Sequence, residues 1–484
     1  MQESIAINRR EVVKAMGAAT LLAGAAGPGA LRAQNRSKAL VIGAGLSGLY
    51  TALLLQDAGL DVQVIEGRDR VGGRVLSHRN LPGSPESGGT SFGAGYARVI
   101  DICRRFDIGL IDTTPLLPYF FQRELVLRGE RIAPADWPGH PRNPLPADAR
   151  EMLPLQYITG LVNRNNPLKN ADGWTDPANS ALDISLHRWL TAQGASEELI
   201  ELGWNTNITH GTSAHDVSAL MILFVDMFNR TQAALGKEVF GYTAVGGNQV
   251  ITEAMAGALK NEMHFNRDVR AISSDDRGGE VHCADGSRYR ADWIVCSIPF
   301  SVLRRIKIDP LVKGRQGLAI NTLASQPVNL LHLAVKERFW EQDGLQPNMF
   351  TDSLSGMVVA ERKGGDVRDI SSMTLWVRGR HATWMDTLDE PAAIATIMED
   401  FYRLRPAARG KVEVAAYKSW YRDPFSAGDW CYWQPGQVSG FAADVATPHG
   451  RLHFCGEHTA ISNRGMEGAM ESGERAALEI LSRA

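Results

Sequence analysis

The run Gly43-Ala44-Gly45-Leu46-Ser47-Gly48 is where residue type and spacing point most directly to chemistry. It comes after a short apolar run at 39–42 and opens a stretch, 46–58, whose apolar residues recur at helical spacing until Gly59 ends it. Glycines between a strand and a helix let a diphosphate approach the backbone, and the helix amino end favours its negative charge. Gly43 and Gly45 serve the turn and the close approach, with Ser47 beside them; Gly48 lets the helix pack on the sheet. A second strand at 62–65 then ends on Glu66, about 20 residues beyond the glycines, where a carboxylate accepts hydrogen bonds from ribose hydroxyls. A lone GxGxxG is a weak motif, but this strand–helix–strand–acid context makes it a dinucleotide site.

A second group of residues sits near the carboxyl end, in "SAGDWCYWQPG" at 426–436. Two tryptophans and a tyrosine crowd around Cys431, with Gly and Pro on either side. Taken alone, the cluster reads as a hydrophobic plug, an aromatic substrate cage or a point of covalent cofactor attachment. The five cysteines, Cys103, Cys283, Cys296, Cys431 and Cys455, form no CxxC pair and no four-ligand set with zinc spacing, so no metal site is expected.

The residues just after Glu66 separate the dinucleotide classes. "RDRVGGR" at 68–74 extends the fingerprint to E-x-R-x-R-x-G-G-R, which resembles the two-dinucleotide-binding flavoproteins. Three further segments resemble the flavin-containing amine oxidase family, which includes monoamine, polyamine and L-amino-acid oxidases. They are "ESGGTSFGAG" at 86–95, "AVGGNQVITEAMAGAL" with "NRDVRAI" and "DGSRYRADWIVCSIP", and "RLHFCGEHTAISNRGMEGAMESGERAALEIL" at 451–481. The resemblance implies FAD as cofactor. It places Arg68, Gly73 and Arg74 at the phosphates, Gly89 and Thr90 beside the flavin ring and the Val269 backbone at the adenine. Glu457 would meet the ribitol, and Met466 would start a helix whose amino end faces the flavin O2.

The implied activity is oxidation of an amine to an imine by hydride transfer to flavin N5, with subsequent hydrolysis to an aldehyde or ketone. Such chemistry leaves the hard step to the cofactor and asks the protein for orientation and electrostatics. Covalent-flavin members carry a cysteine where this chain has Asp429, so the FAD is expected to be non-covalent. Trp430 falls at one aromatic wall of the family's cage and Trp420 at another aromatic beside the site; Cys431, Tyr432 and Trp433 are expected in the core. Two positions depart from the family. The second cage wall is replaced by Gly465, and the lysine that is linked through water to N5 is replaced by Leu330, with His332 on the same strand face. The missing lysine leaves O2 or a periplasmic cytochrome as the acceptor. An alternative reading is an L-amino-acid oxidase giving 2-oxo acid, ammonia and H2O2, which needs a cationic clamp, for which Arg98, Arg230 and Arg380 are candidates. Carbon–carbon desaturation is a further alternative, and a non-catalytic flavin-binding module is a third.

The elements that must position these residues belong to an α/β fold, a Rossmann-like two-dinucleotide-binding FAD domain with a discontinuous α+β substrate domain. At about 150 residues per domain, 484 residues allow two or three domains. The resemblance assembles the FAD domain from 34–85, 236–305 and 440–484, and the substrate domain from 86–235 and 306–439. The first insertion is expected to contain a mostly helical part, from "SLHRWLTAQGASEELIELGW" and "SALMILFVDMFNR"; the second contains strand-like "VNLLHLAV" and "SSMTLWVRG". With 44% hydrophobic residues and a net charge of −3, the chain can build a large core and offers no basic surface for nucleic acid. Residues 1–33 begin with Arg9-Arg10 and Lys14, continue through a short Ala/Gly/Leu stretch and leave by Ala33, the pattern of a twin-arginine-like export signal. That stretch is too short and too Ala/Gly-rich for a stable membrane anchor, so a periplasmic or secreted protein is expected. The partners expected are a small amine or amino acid and the electron acceptor, with a homodimer as the assembly.

Overall fold

The computed structural model describes residues 37–236, 239–362 and 367–484; the export signal read at 1–33 lies outside the described residues. A four-stranded parallel sheet runs in the order Asp61–Ile65, Lys38–Ile42, Trp293–Cys296, Leu452–Phe454. Its strands come from three distant stretches of sequence. The central strand Lys38–Ile42 is buried on both faces, with Leu40 at 1% and Val41 at 0% exposure, which is why it reads as a continuous apolar run. Burying each such side chain contributes about 1.5–3 kcal/mol.

The helix Leu46–Asp57 leaves the glycine turn and crosses the carboxyl-terminal helix Gly465–Leu481 at close range. Small residues make this crossing possible. A methyl group on Gly473 would lie 2.6 Å from the Ser47 carbonyl, and Thr51 Oγ1 donates to the Gly473 carbonyl at 3.0 Å. A second four-stranded sheet has the order Arg288–Ala291, Gly279–Cys283, Val269–Ser274, Lys307–Asp309, and Val269 opens its third strand.

A seven-stranded mixed sheet has the order Val412–Ser419, Val328–Val335, Ser372–Arg378, Met357–Glu361, Asn348–Thr351, Arg123–Leu127, Glu130–Ile132. Both strand-like runs of the second insertion are strands within it. Beside its helical part, with helices at Leu186–Ala192 and Ala219–Gly236, the first insertion supplies the two strands at Arg123–Leu127 and Glu130–Ile132. The first of these pairs in parallel with Asn348–Thr351, far away in sequence, so local periodicity does not reveal its place. Along Val328–Val335 the side chains alternate. Leu331 and Leu333 pack into one core with Ile397 and Phe401 of the helix Glu390–Leu404, while Val328 and Leu330 pack with Trp420, Trp376 and Trp430 on the opposite face. The helical part of the first insertion centres on Ala219–Gly236, where Phe224 stacks on Trp174 at 4.7 Å. No helix among the described residues is long and apolar enough to cross a membrane.

Candidate active site

The glycine turn has the conformation its sequence demands. Gly43 has φ +102°, and a methyl group added to Gly48 would lie 2.0 Å from the Gly43 carbonyl. At Gly45 an added methyl would meet nothing within 4 Å, so the backbone there borders open space. Glu66 closes the turn from the second strand: one carboxylate oxygen accepts from the Ala44 N–H at 2.7 Å and the other from the Arg68 N–H at 2.9 Å. The Arg68 guanidinium donates to Asp423 at 2.5 Å and to Ser426 at 2.8 Å, joining the nucleotide fingerprint to the distant aromatic segment.

This turn opens into a cavity of about 530 Å³ that continues to the aromatic residues. Gly43, Gly45, Ser47, Glu66, Arg68, Gly73, Arg74, Gly89, Thr90, Val269, Glu457 and Met466 all line it. Gly48 does not, because it faces the Gly43 carbonyl and Ser297, a packing role. The Gly-rich segment is held by Glu86, 2% exposed, which accepts from the Asn248 N–H at 3.0 Å and from the Ser77 hydroxyl at 2.7 Å. Asn248 in turn donates to the Gly89 carbonyl at 2.5 Å. Glu457 is fixed by the Arg74 guanidinium at 3.5 Å, the Cys431 N–H at 3.2 Å and the Cys431 thiol at 3.4 Å.

Trp430 and Gly465 line the same cavity; Trp420 and His332 do not. Trp420 is fully buried, donates to the Ser87 carbonyl at 2.6 Å and lies 3.0 Å from where a Gly88 methyl would sit. It therefore backs the Gly-rich segment rather than facing the cavity. His332 is fully buried and joins Ser87 at 2.8 Å to Thr374 at 2.9 Å, behind that segment. Leu330, where the sequence predicts the family's lysine to be replaced, lies in the apolar cluster of Trp420, Trp376 and Trp430. Cys431, Tyr432 and Trp433 are buried, and Trp433 packs edge-on against Trp174 at 5.3 Å. All five cysteines are free and buried.

The three arginines read as clamp candidates are occupied elsewhere. Arg98 pairs with Glu467 and Glu474, Arg230 with Asp226 and Arg380 with Glu201, and none of them lines the cavity. Sequence reasoning passed over Tyr96, Trp376 and Arg464, which do line it, and His210, whose ring lies 6.1 Å from that of Trp430. Of these, only Arg464 carried a signal, its place directly before the anomalous Gly465. Asp429 also lines the cavity, and burial pushes its carboxyl up to about 7, against the pull of Arg74.

The glycine cradle, the acid that closes it and a continuous cavity reaching Met466 at the carboxyl-terminal helix fit a flavin dinucleotide. The model of the flavin-containing amine oxidoreductase family matches residues 46–481. The chain belongs to this family. Its cofactor is FAD, and it is a flavin-dependent amine oxidase by family. The chain is 26% identical to an amine oxidase [flavin-containing] of Danio rerio, over 92% of this chain and 86% of that one. It is 22% identical to an L-amino-acid oxidase of Crotalus adamanteus, over 92% and 87%. A structure of putrescine oxidase bound to putrescine superposes with a TM-score of 0.73 at 24% identity, covering 93% of this chain and 99% of that one, which shows the shared fold.

Proposed function

We propose that this chain oxidises a small amine to the imine, which hydrolyses to an aldehyde or ketone, and that it holds FAD without a covalent link. The observation that carries the reading is the single cavity that joins the nucleotide cradle to Trp430, Trp376 and Tyr96. A bound flavin supplies the two-electron acceptor for the substrate C–H bond. The protein's own part is placement: Trp430, fixed by its indole N–H to the Thr209 carbonyl at 2.8 Å, forms a rigid wall against which a substrate is oriented. Gly465, with only the Tyr96 hydroxyl at 3.9 Å from an added methyl, leaves the opposite side open to a bulkier or branched substrate. No lysine occupies the Leu330 position, which favours a protein acceptor such as a periplasmic cytochrome over O2. The arginine pair and small-residue exit of residues 1–33 support export to the periplasm. The division into an FAD domain and a substrate domain is part of the same proposal, with the seven-stranded sheet in the latter.

Anaerobic mixing of the holoprotein with a panel of amines and L-amino acids tests the activity through flavin bleaching. Fast bleaching by one class is expected, and readmitting O2 or cytochrome identifies the acceptor. No bleaching across the panel would remove the amine-oxidation reading in favour of desaturation. Denaturation and then filtration tests the attachment, with all of the flavin expected in the filtrate.

A further inference from the structure

At the Gly465 side of the cavity two arginines stand near a buried histidine, and neither forms an ion pair among the described residues. Arg464 lines the cavity and donates to His210 Nε2 at 3.0 Å, and no carboxylate among the described residues forms an ion pair with it. His210 is 3% exposed, and burial together with the charges of Arg464 and Arg378 holds its imidazole well below its ordinary range. It is therefore neutral, and because a guanidinium can only donate, Nε2 is the acceptor and Nδ1 carries the proton. Arg378 stands behind the cavity wall, its guanidinium 4.5 Å from the ring of Trp376, and its Nε has no hydrogen-bond partner. Burial pushes Arg378 down to about 10, and the carboxylate that opposes this shift is Asp429, itself pushed toward protonation.

The arrangement is a built one. Gln326, fully buried, accepts from the Gly211 N–H at 2.7 Å and donates to the Gly211 carbonyl at 2.9 Å, fixing the loop that carries His210. Its backbone pairs with Asp429 at 2.9 Å and Trp430 at 2.8 Å, so the same residue fixes the aromatic wall. By contrast, Arg68 and Arg74 in the cavity have Asp423 and Glu457 as partners. The Arg464 guanidinium is partly buried and holds no ion pair among the described residues, and its planar fork matches a carboxylate. The absent ring at Gly465 leaves room beside it.

We propose that Arg464, seated by His210 and reinforced by Arg378, binds the carboxylate of the substrate, so that the substrate class is amino acids rather than simple amines. The inference rests on the amine-oxidation reading for its substrate and on this chain's own side chains for its anion site. It places the clamp on different residues from those that the sequence offered.

The test uses holoprotein and two readouts. The first is binding of benzoate, a carboxylate without an amine, monitored as perturbation of the flavin absorbance; the second is anaerobic flavin reduction by phenethylamine and by L-phenylalanine. Benzoate is expected to perturb the wild-type spectrum, and Arg464→Met is expected to weaken its binding at least about tenfold, with Arg464→Lys in between. Reduction by L-phenylalanine should fall with it, and reduction by phenethylamine should change less than about threefold. Arg380→Met, whose partner Glu201 lies off the cavity, should match wild type and control for surface charge. Equal benzoate binding in wild type and Arg464→Met, or no benzoate binding at all, would overturn the proposal. An equal loss of reduction by both donors would also overturn it, assigning the arginine to the charge of the reduced cofactor. Bleaching by neither donor while benzoate binding still depends on Arg464 would keep the anion site and remove the amine chemistry instead.

Discussion

At the scale of single residues, the glycine turn and the buried acids set the sharpest expectations. Gly48→Ala would push a methyl group to 2.0 Å from the Gly43 carbonyl, a backbone atom that cannot move without breaking the turn. A loss of about 3 kcal/mol is expected from such overpacking. Chemical denaturation together with the flavin content of the purified protein would measure it. Asp429 gives a pH dependence. Its carboxyl rises from 3.8 to about 7 in the folded protein, chiefly through burial. Between these values the folded state holds a proton that the unfolded state has lost, so stability falls as pH rises through the window and then levels off. Asp429→Asn cannot lose that proton. Its melting temperature relative to wild type should therefore climb from about pH 4 to about pH 7 and stay constant above it; a difference that is flat with pH would contradict the assignment. Motif residues were legible where a backbone constraint or a fixed chemistry names the residue type, as at Gly43, Glu66 and Glu457. Arg464 and His210 were not, because nothing in their local sequence shows which charges find a partner.

At the scale of elements, the Gly-rich strand Glu86–Gly88 and the strand Val328–Val335 are joined through side chains rather than through a shared ladder. Ser87 links His78 at 2.7 Å to His332 at 2.8 Å, His332 meets Thr374 at 2.9 Å, and the Thr374 hydroxyl donates to Glu361 at 2.8 Å. His332→Leu would leave the hydroxyls of Ser87 and Thr374 short of a buried partner, with an expected cost of about 3 kcal/mol. Because His332 does not line the cavity, the rate of flavin reduction in the correctly folded variant should stay within about threefold of wild type. A large rate loss without a stability loss would instead give the histidine a direct part in the chemistry. The alternation of Val328, Leu330 and His332 with Leu331 and Leu333 was readable as a strand, since period two is local. Which face met the helix Glu390–Leu404 and which met the tryptophans was not, since both faces are apolar.

At the scale of the whole molecule, residues 37–484 form one compact unit by their contacts, and the parallel sheet draws its strands from the beginning, middle and end of that span. The cavity walls are shared in the same way, so cofactor and chain should report one event. Far-UV circular dichroism and tryptophan fluorescence are expected to give coincident thermal transitions. Free FAD at about a hundred times its dissociation constant should raise the stability behind both by about 2.7 kcal/mol. Separate midpoints, or a shift in only one of them, would show that the seven-stranded sheet unfolds independently of the nucleotide sheet.

The sequence by itself determined the cofactor class, the strand–helix–strand cradle, the family and the motif residues of the cavity lining. In these places chemistry constrains residue type over short spans: a diphosphate needs glycine, a ribose needs an acid, and a buried strand needs an apolar run. Tertiary structure alone decided that Arg98, Arg230 and Arg380 are paired with acids and stay out of the cavity lining, while Arg464 meets His210 in the site and forms no ion pair among the described residues. Only it placed the strands Arg123–Leu127 and Glu130–Ile132 in one sheet with Asn348–Thr351 from the other insertion. The reason is the same in each case. Pairing of charges and of strands is a relation between positions distant in the chain, and it is settled by which surfaces the core brings together rather than by any local pattern.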